Sequence, residues 1–262
     1  MKYKNKTVWI TGASSGIGEA MAYEFSKQGA KLILSSRKEA ALRRVADRCG
    51  SSGTIIQTLD IADHASLPGT VEKVLHQVGK VDVLINNAGI SQRSLVKDTV
   101  FEVDKKMIDV NLLGTIALSK AILPHFLENR SGHYIVISSL MGKFAAPMRS
   151  SYAAAKHGLH GFFDTLRAEC FRENVKVTMV CPGFIRTDIS KNALTADGSA
   201  QGTMDDATGK GMPPGTLAKK IADAAYRGKE EVAFGGQEVL AVYVKRFFPK
   251  LLNRIVRKAK VT

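Results

Sequence analysis

The chain lacks paired thiols. Cys49, Cys170 and Cys181 are its only cysteines, odd in number and widely spaced. This excludes a disulfide framework and a Cys-x-x-Cys metal clasp, and fits a reducing compartment. No stretch of ~18 consecutive apolar residues occurs, so no membrane-spanning helix is expected. Behind Lys2, Lys4 and Lys6 the apolar stretch Val8-Trp9-Ile10 stops at Thr11-Gly12, too short for the core of a signal peptide. No acidic residue follows Glu238. No internal repeat is visible, and no Pro/Gly/Ser-rich linker precedes residue 184, which favours one domain. A cytoplasmic protein, peripheral to a membrane if its basic tail binds one, is the expectation.

What is present has ordinary globular proportions, 45% hydrophobic and 24% charged. The 38 basic and 24 acidic residues leave a net charge of +14. Half of this excess comes from seven cations of the last segment: Lys245, Arg246, Lys250, Arg254, Arg257, Lys258 and Lys260. Without a helix-turn-helix, zinc-ligand or aromatic RNA-binding pattern, the charge does not point to nucleic acid. The segment Val239–Val261 mixes these cations with apolar residues as an interfacial helix does, with Pro249 set to break or kink it. Packing on the core or an oligomer contact would use the same pattern.

Apolar runs of strand length recur at Thr7–Thr11, Leu32–Ser35, Thr54–Leu59, Val81–Ile85, Tyr134–Ile137, Val175–Val180 and Glu231–Phe234. They are apolar on consecutive positions, and helical periodicity separates most of them. That combination predicts an α/β fold: a doubly wound parallel sheet of the Rossmann type in three α/β/α layers. The expected division is a catalytic domain at 1–238 and a basic amphipathic extension at 239–262. The pattern fails between Phe184 and Gly215, and an irregular segment of that length in a compact domain reads as a substrate lid over 184–215.

The first strand runs into Thr11-Gly12-Ala13-Ser14-Ser15-Gly16-Ile17-Gly18 and then a helix. Glycines there permit a tight turn and close backbone approach, and the helix start offers N–H groups to a pyrophosphate. Gly12, Ser14, Ser15, Gly16, Ile17 and Gly18 are therefore candidate dinucleotide contacts. The second strand ends in Ser35-Ser36-Arg37-Lys38, about twenty residues on, where an NAD-binding chain places an acid. Ser36, Arg37 and Lys38 suit a 2′-phosphate instead, so NADP(H) is expected over NAD(H). A solvated Arg37 neutralised by Glu39 is the competing explanation. Asp60 and Ile61 lie where an adenine edge would bind, although Asp60 could equally cap a helix. Asn87, Ala88 and Gly89 close the fourth strand with small residues that admit a ligand.

Tyr152 and Lys156 stand four residues apart, on one face of a helix. Thirteen residues before Tyr152 stands Ser139, at the end of an apolar run. Hydroxyl, phenol and ammonium can then converge on one carbonyl oxygen. A cation at ~4 Å contributes ~4 kcal/mol at an effective dielectric of ~20, about three pKa units, enough to bring a phenol of pKa ~10 near neutrality. Ser138 competes with Ser139 for this place, and Asn111 could simply bond a kinked helix. His157 and His160 have no carboxylate or cysteine at ligand spacing; they are expected to pack or face solvent, and no metal site is implied.

In order and spacing, Thr11–Gly18, Asn86–Gly89, Asn111, Ser139, Tyr152 with Lys156, and Pro182-Gly183 with Thr187 resemble the short-chain dehydrogenase/reductase family, over residues 5 to 235. Within it, residues 87–93 and 192–199 are most similar to the dehydrogenase/reductase member 7 and 7B group. The resemblance implies reversible hydride transfer between a nicotinamide and a carbonyl or alcohol carbon. It implies Tyr152 as acid/base, Lys156 on the nicotinamide ribose, Ser139 on the reacting oxygen and Asn111 on a relay water. Pro182, Gly183, Ile185 and Thr187 would complete the cofactor contacts, and subunits would pair as a homodimer or homotetramer. Leu140, Met141, Phe144, Met148 and the lid supply apolar walls suited to a lipophilic ketone, aldehyde or secondary alcohol. Lys143, Arg149 and Arg186 could meet an acidic group on such a substrate, or simply face solvent. The rival function is a non-catalytic NADP-binding sensor or scaffold.

Overall fold

Val8, Trp9 and Ile10 expose none of their surface, as residues of a strand covered on both faces must. The computed structural model describes residues 1–50 and 53–258. Lys260 and the rest of residues 259–262, included above in the basic extension, lie outside the described residues. Seven strands form the sheet: β1 Thr7–Thr11, β2 Lys31–Ser35, β3 Ile55–Ile56, β4 Val83–Asn86, β5 Gly132–Ile137, β6 Val175–Pro182 and β7 Glu231–Phe234. Their order is β3-β2-β1-β4-β5-β6-β7, and every pairing is parallel.

The ladder of β3 is shorter than the apolar run Thr54–Leu59 suggests. It stands at the sheet edge, and beyond Ile56 only the hydrogen bonds from Gln57 N to Leu34 O and from Leu59 N to Ser36 O continue it. The fourth strand starts two residues later than expected, because Val81 N is taken by His125 Nε2 at 3.2 Å.

Helices α1 Gly16–Lys27, α2 Glu39–Cys49 and α8 Pro214–Tyr226 cover one face of the sheet, with Met21, Phe25, Leu42, Leu217 and Ile221 in its core. Helices α3 Leu67–Val78, α5 Gly114–Glu128 and α6 Ser150–Glu169 cover the other around Trp9, Phe126, Tyr134 and Phe163. Helix α4 Phe101–Ile108 runs into α5 through a π-helical turn at Asp109–Leu113. Together Phe101–Glu128 are long and apolar enough to cross a membrane. Their buried Met107, Leu118, Ile122 and Phe126 explain that composition as core packing.

The segment 184–215 is irregular as expected, apart from the short α7 Asp206–Gly209 and residues 214–215, which open α8. The carboxyl-terminal tail forms two helices, α9 Leu240–Phe247 and α10 Pro249–Lys258. Pro249 begins the second, where its missing N–H costs nothing.

Candidate active site

Strand order reverses between β1 and β4, and in open parallel sheets ligands bind at the carboxyl edge beside such a reversal. The turn after β1 is built for close approach. Gly12 has φ +64°, and an added Cβ would stand 2.9 Å from Ala88 Cα; one on Gly18 would collide with the Gly12 carbonyl oxygen. Asn87 holds the two strand ends together, donating from Nδ2 to Thr11 O at 3.0 Å and Gly12 O at 3.2 Å. Ser15 precedes α1 without a side-chain cap, so the first N–H groups of that helix lack intrahelical acceptors. Thr187 lies against Gly16 from above, its Cγ2 3.3 Å from where a Cβ would be.

A cleft of about 270 Å³ lies past the ends of β2 and β3, lined by Arg37, Thr58, Leu59, Asp60, Ser66 and Thr70. Glu39 does not neutralise Arg37; it pairs with Arg43 at 2.5 Å. Arg37 and Lys38 are exposed, and among the described residues neither has an ion pair. Asp60 Oδ1 accepts from Ala62 N at 3.0 Å, a local turn contact. Ile61 is buried, with its carbonyl oxygen against Gly114. The glycine cradle, open helix start and unpaired cations fit a nicotinamide dinucleotide.

On the other side of the reversal, Ser139 follows β5 and its Oγ accepts from Met141 N at 3.1 Å, which leaves the hydroxyl proton free to donate. Ser139, and not Ser138, is the hydroxyl close enough to the Tyr152 phenol to lower its pKa. Ser138 is turned away, with its Oγ 3.1 Å from His160 Nε2. His160 is buried and holds Glu231 beyond it, Nδ1 to Oε2 3.5 Å, while His157 Nδ1 bonds its own helix at Ala153 O. Among the described residues no cluster of His, Cys, Asp and Glu has metal-site form.

Lys156 is buried, donates to Ile137 O at 2.8 Å, and lies 5.8 Å from the centre of the Tyr152 ring. This corrects the expected electrostatics. Burial pushes the Tyr152 phenol up, and the neighbouring Ser139 hydroxyl and the Arg93 and Arg149 guanidiniums only partly offset it. Burial also lowers Lys156 to about 8. For Tyr152 the burial comes from its apolar packing with Val103, Met107, Leu194 and Ile90, which penalises the charged phenolate. Asn111 is wholly buried in the π-helical turn. Its Oδ1 accepts from Ile90 N at 3.0 Å and its Nδ2 donates to Met107 O at 3.0 Å, so its side chain holds the loop after β4 against the helix. Gly89 fits between it and Lys156: a Cβ would stand 2.6 Å from Asn111 Oδ1 and 3.8 Å from Lys156 Nζ.

Three residues of this region carry no role in the sequence analysis. Gln92 is fully buried, and its Oε1 accepts from Ser151 N at 3.0 Å and Tyr152 N at 3.4 Å, capping the helix that carries Tyr152. Arg93 and Asp205 form a buried ion pair, Nη2 to Oδ2 2.5 Å. Arg149, given above as a surface or substrate-recognition cation, is buried 3.4 Å from the same Asp205 Oδ2. Asp205 thereby ties segment 184–215 to the loop after β4 and to the start of α6. Two backbone bonds reinforce the tie, Arg93 N to Leu194 O and Leu194 N to Ser91 O, both 2.8 Å. Lys143 is committed to Glu231 at 2.5 Å, while Arg186 is exposed. Pro182 ends β6, Gly183 N bonds Phe234 O at 2.8 Å, and Ile185 is buried beside Met212 through a strand-like bridge.

Residues 6–198 match the short chain dehydrogenase family. The chain is 40% identical over 260 residues to dehydrogenase/reductase SDR family member 7B of Mus musculus, covering 97% of this chain and 80% of that protein. A short chain dehydrogenase/reductase from Burkholderia phymatum, solved with NAD, superposes with a TM-score of 0.85 at 23% identity, over 96% of each chain. An alcohol dehydrogenase of Thermococcus sibiricus, solved with 5-hydroxy-NADP, gives 0.76 at 26% identity over 88% of this chain and 97% of that one. The expected parallel Rossmann fold and the expected resemblance to the member 7 and 7B group therefore both hold. A sequence match of this length on a shared doubly wound sheet establishes that the chain belongs to the short-chain dehydrogenase/reductase family of oxidoreductases.

Proposed function

We propose that this protein is an NADP(H)-dependent oxidoreductase that interconverts a lipophilic ketone or aldehyde and the corresponding alcohol. The observation that carries the chemistry is the placing of the Ser139 hydroxyl, the Tyr152 phenol and buried Lys156, whose Nζ lies 5.8 Å from the Tyr152 ring centre, together at the carboxyl edge of the sheet. The observation that favours NADP(H) is the pair of unpaired cations, Arg37 at the cleft and Lys38 beside it, where an acid would select NAD(H). The Thermococcus sibiricus relative solved with 5-hydroxy-NADP is consistent with that choice.

Bound nicotinamide dinucleotide supplies or accepts the hydride. The N–H groups of Gly16, Ile17 and Gly18 face its pyrophosphate, with Gly12, Ser14 and Ser15 shaping the turn. Ser36, Arg37 and Lys38 hold the 2′-phosphate, and Asp60 and Ile61 flank the adenine. Asn87, Ala88 and Gly89 would admit its close approach to the backbone, Lys156 would hold the ribose hydroxyls, and Pro182, Gly183, Ile185 and Thr187 would complete the contacts to the cofactor. Tyr152 gives its proton to the carbonyl oxygen during reduction and takes one back during oxidation, while Ser139 donates a hydrogen bond to that oxygen. Asn111 would fix a water that relays protons from Lys156. In the free protein the phenol is held protonated, the form that reduction consumes.

Residues 1–238 serve as the catalytic unit, 184–215 as its lid and 239–262 as an extension. The assembled form is a homodimer or homotetramer, cytoplasmic or peripheral to a membrane. The test is absorbance at 340 nm with NADPH and with NADH across lipophilic ketones, using the native chain and Tyr152→Phe. Faster turnover with NADPH and a loss of at least about 100-fold in Tyr152→Phe are expected. Cofactor binding without turnover of any carbonyl would favour the sensor, and activity retained in Tyr152→Phe would remove the acid/base assignment.

A further inference from the structure

Helices α9 and α10 are anchored to the body by one side only. Leu252 is buried among Leu140, Phe144 and Cys181, with Val239, Ala241, Val242, Val244 and Val256 packed around them. The other side is apolar yet bare: Leu240, Tyr243 and Phe247 are 63%, 60% and 69% exposed, and Phe248, Leu251 and Ile255 are 63%, 48% and 51% exposed. Residues 240, 243 and 247 follow i, i+3, i+7 spacing along α9, and Leu251 and Ile255 stand four apart on α10, each set forming a stripe on one helix face. Phe247 and Phe248 sit at the elbow that Pro249 creates between the helices.

Six cations accompany these stripes: Lys245, Arg246, Lys250, Arg254, Arg257 and Lys258, all exposed. Among the described residues none of them has an ion pair, and no acid occurs between residues 239 and 258. Arg254 and Lys258 continue the stripe of Leu251 at i+3 and i+7, so charge borders apolar surface directly. A two-fold contact with a second copy would set six positive charges against six others without a counter-charge, which disfavours self-association here.

We propose that the outer faces of α9 and α10 dock on the surface of an anionic lipid bilayer, with Phe247 and Phe248 entering the headgroup region and the cations engaging lipid phosphates and carboxylates. The chemistry is that of an interfacial amphipathic helix pair, apolar area in the acyl boundary and positive charge at anionic headgroups. Helix α10 adjoins the active-site region, because Leu252 packs on Leu140 and Phe144, which follow Ser139. Passage of a lipophilic substrate from bilayer to site would follow; that consequence rests on the function proposed above, whereas the docking does not.

The test is co-sedimentation of the full chain with phosphatidylcholine vesicles with and without phosphatidylserine, for the native protein, for Phe247→Ser/Phe248→Ser and for Lys250→Gln/Arg254→Gln. Partitioning about tenfold or more stronger onto anionic vesicles is expected, decreasing with salt, with about a tenfold loss in either double variant. Both variants should keep the native melting temperature and the native response of that temperature to NADPH, since the altered side chains are exposed and away from the cofactor cleft. Absence of binding to anionic vesicles, or equal binding by all three proteins, would overturn the proposal. So would a native mass by light scattering that falls in the Phe247→Ser/Phe248→Ser variant, because a second copy would then be the occupant.

Discussion

Replacing Asp205 with Asn tests whether segment 184–215 is held down electrostatically. Burial pushes the Asp205 carboxyl up, and the hydrogen bond and charge of Arg93, with Gln201 and Arg149, more than reverse this, holding it below the usual range. Burial and the neighbouring Arg93 charge lower Arg149 to about 10, partly offset by Asp205. The cluster of two guanidiniums and one carboxylate thus carries one net positive charge, and Asp205→Asn raises it to two in a site where all three side chains are at most 8% exposed. Breaking a buried pair in this way costs about 3–5 kcal/mol. For a domain of this size that corresponds to a fall of roughly 6–20 °C in melting temperature. Opening of the segment alone would instead appear as cleavage within 184–215 under limited proteolysis, at an unchanged global melt. The double variant Arg93→Leu/Asp205→Asn returns the net charge to one and should recover part of the loss. A shift of under about 2 °C in Asp205→Asn, with native resistance to protease, would refute the latch.

Arg37→Ala should raise the Michaelis constant for NADPH about tenfold while leaving that for NADH nearly unchanged, because it removes a charge-assisted contact only a 2′-phosphate can make; a full kinetic comparison of the two cofactors decides it. With Lys156 lowered to about 8 by burial, its ammonium is lost as pH rises through that value, so NADPH affinity by fluorescence titration should weaken between about pH 7 and 9, and Lys156→Met should flatten the profile. The neighbouring His160 imidazole, opposed by burial and aided by Lys143, holds Glu231 at about 2, below its ordinary 4.5. A depressed carboxylate contributes stability above the unfolded value and loses it as pH falls through the folded one. Chemical denaturation of native protein and Glu231→Gln should therefore converge between about pH 4.5 and 2.

Features that depend on neighbours in the chain were legible without coordinates. Burial on both faces demands consecutive apolar positions, so Val8 to Ile10 and Tyr134 to Ile137 declared a parallel sheet. Tight backbone approach demands glycine, so Gly12 to Gly18 declared the close-packed strand-to-helix turn. Helical spacing placed Tyr152 and Lys156 on one face. Pro249 marked the break in the tail. At the edge strand the same logic overreached, because β3 has a neighbour on one side only and its apolar run outlasts its ladder.

Contacts between distant residues had no such signature. Gln92 caps α6 from 59 residues away, and Arg93 meets Asp205 across 112; hydrogen-bonding residues of this kind are common on surfaces, and nothing in their spacing distinguishes the pair that folding will bury. The protonation of the site depends on it too. Periodicity could bring an ammonium beside a phenol, but the cost of charge there is set by Val103, Met107 and Leu194, which arrive from α4 and from segment 184–215. Local sequence decided which groups stand at the carboxyl edge of the sheet, because backbone geometry repeats over a few residues. Tertiary packing decided how dry they are and which charges face them, because desolvation and Coulomb energy depend on every atom within several ångströms, whatever its place in the chain.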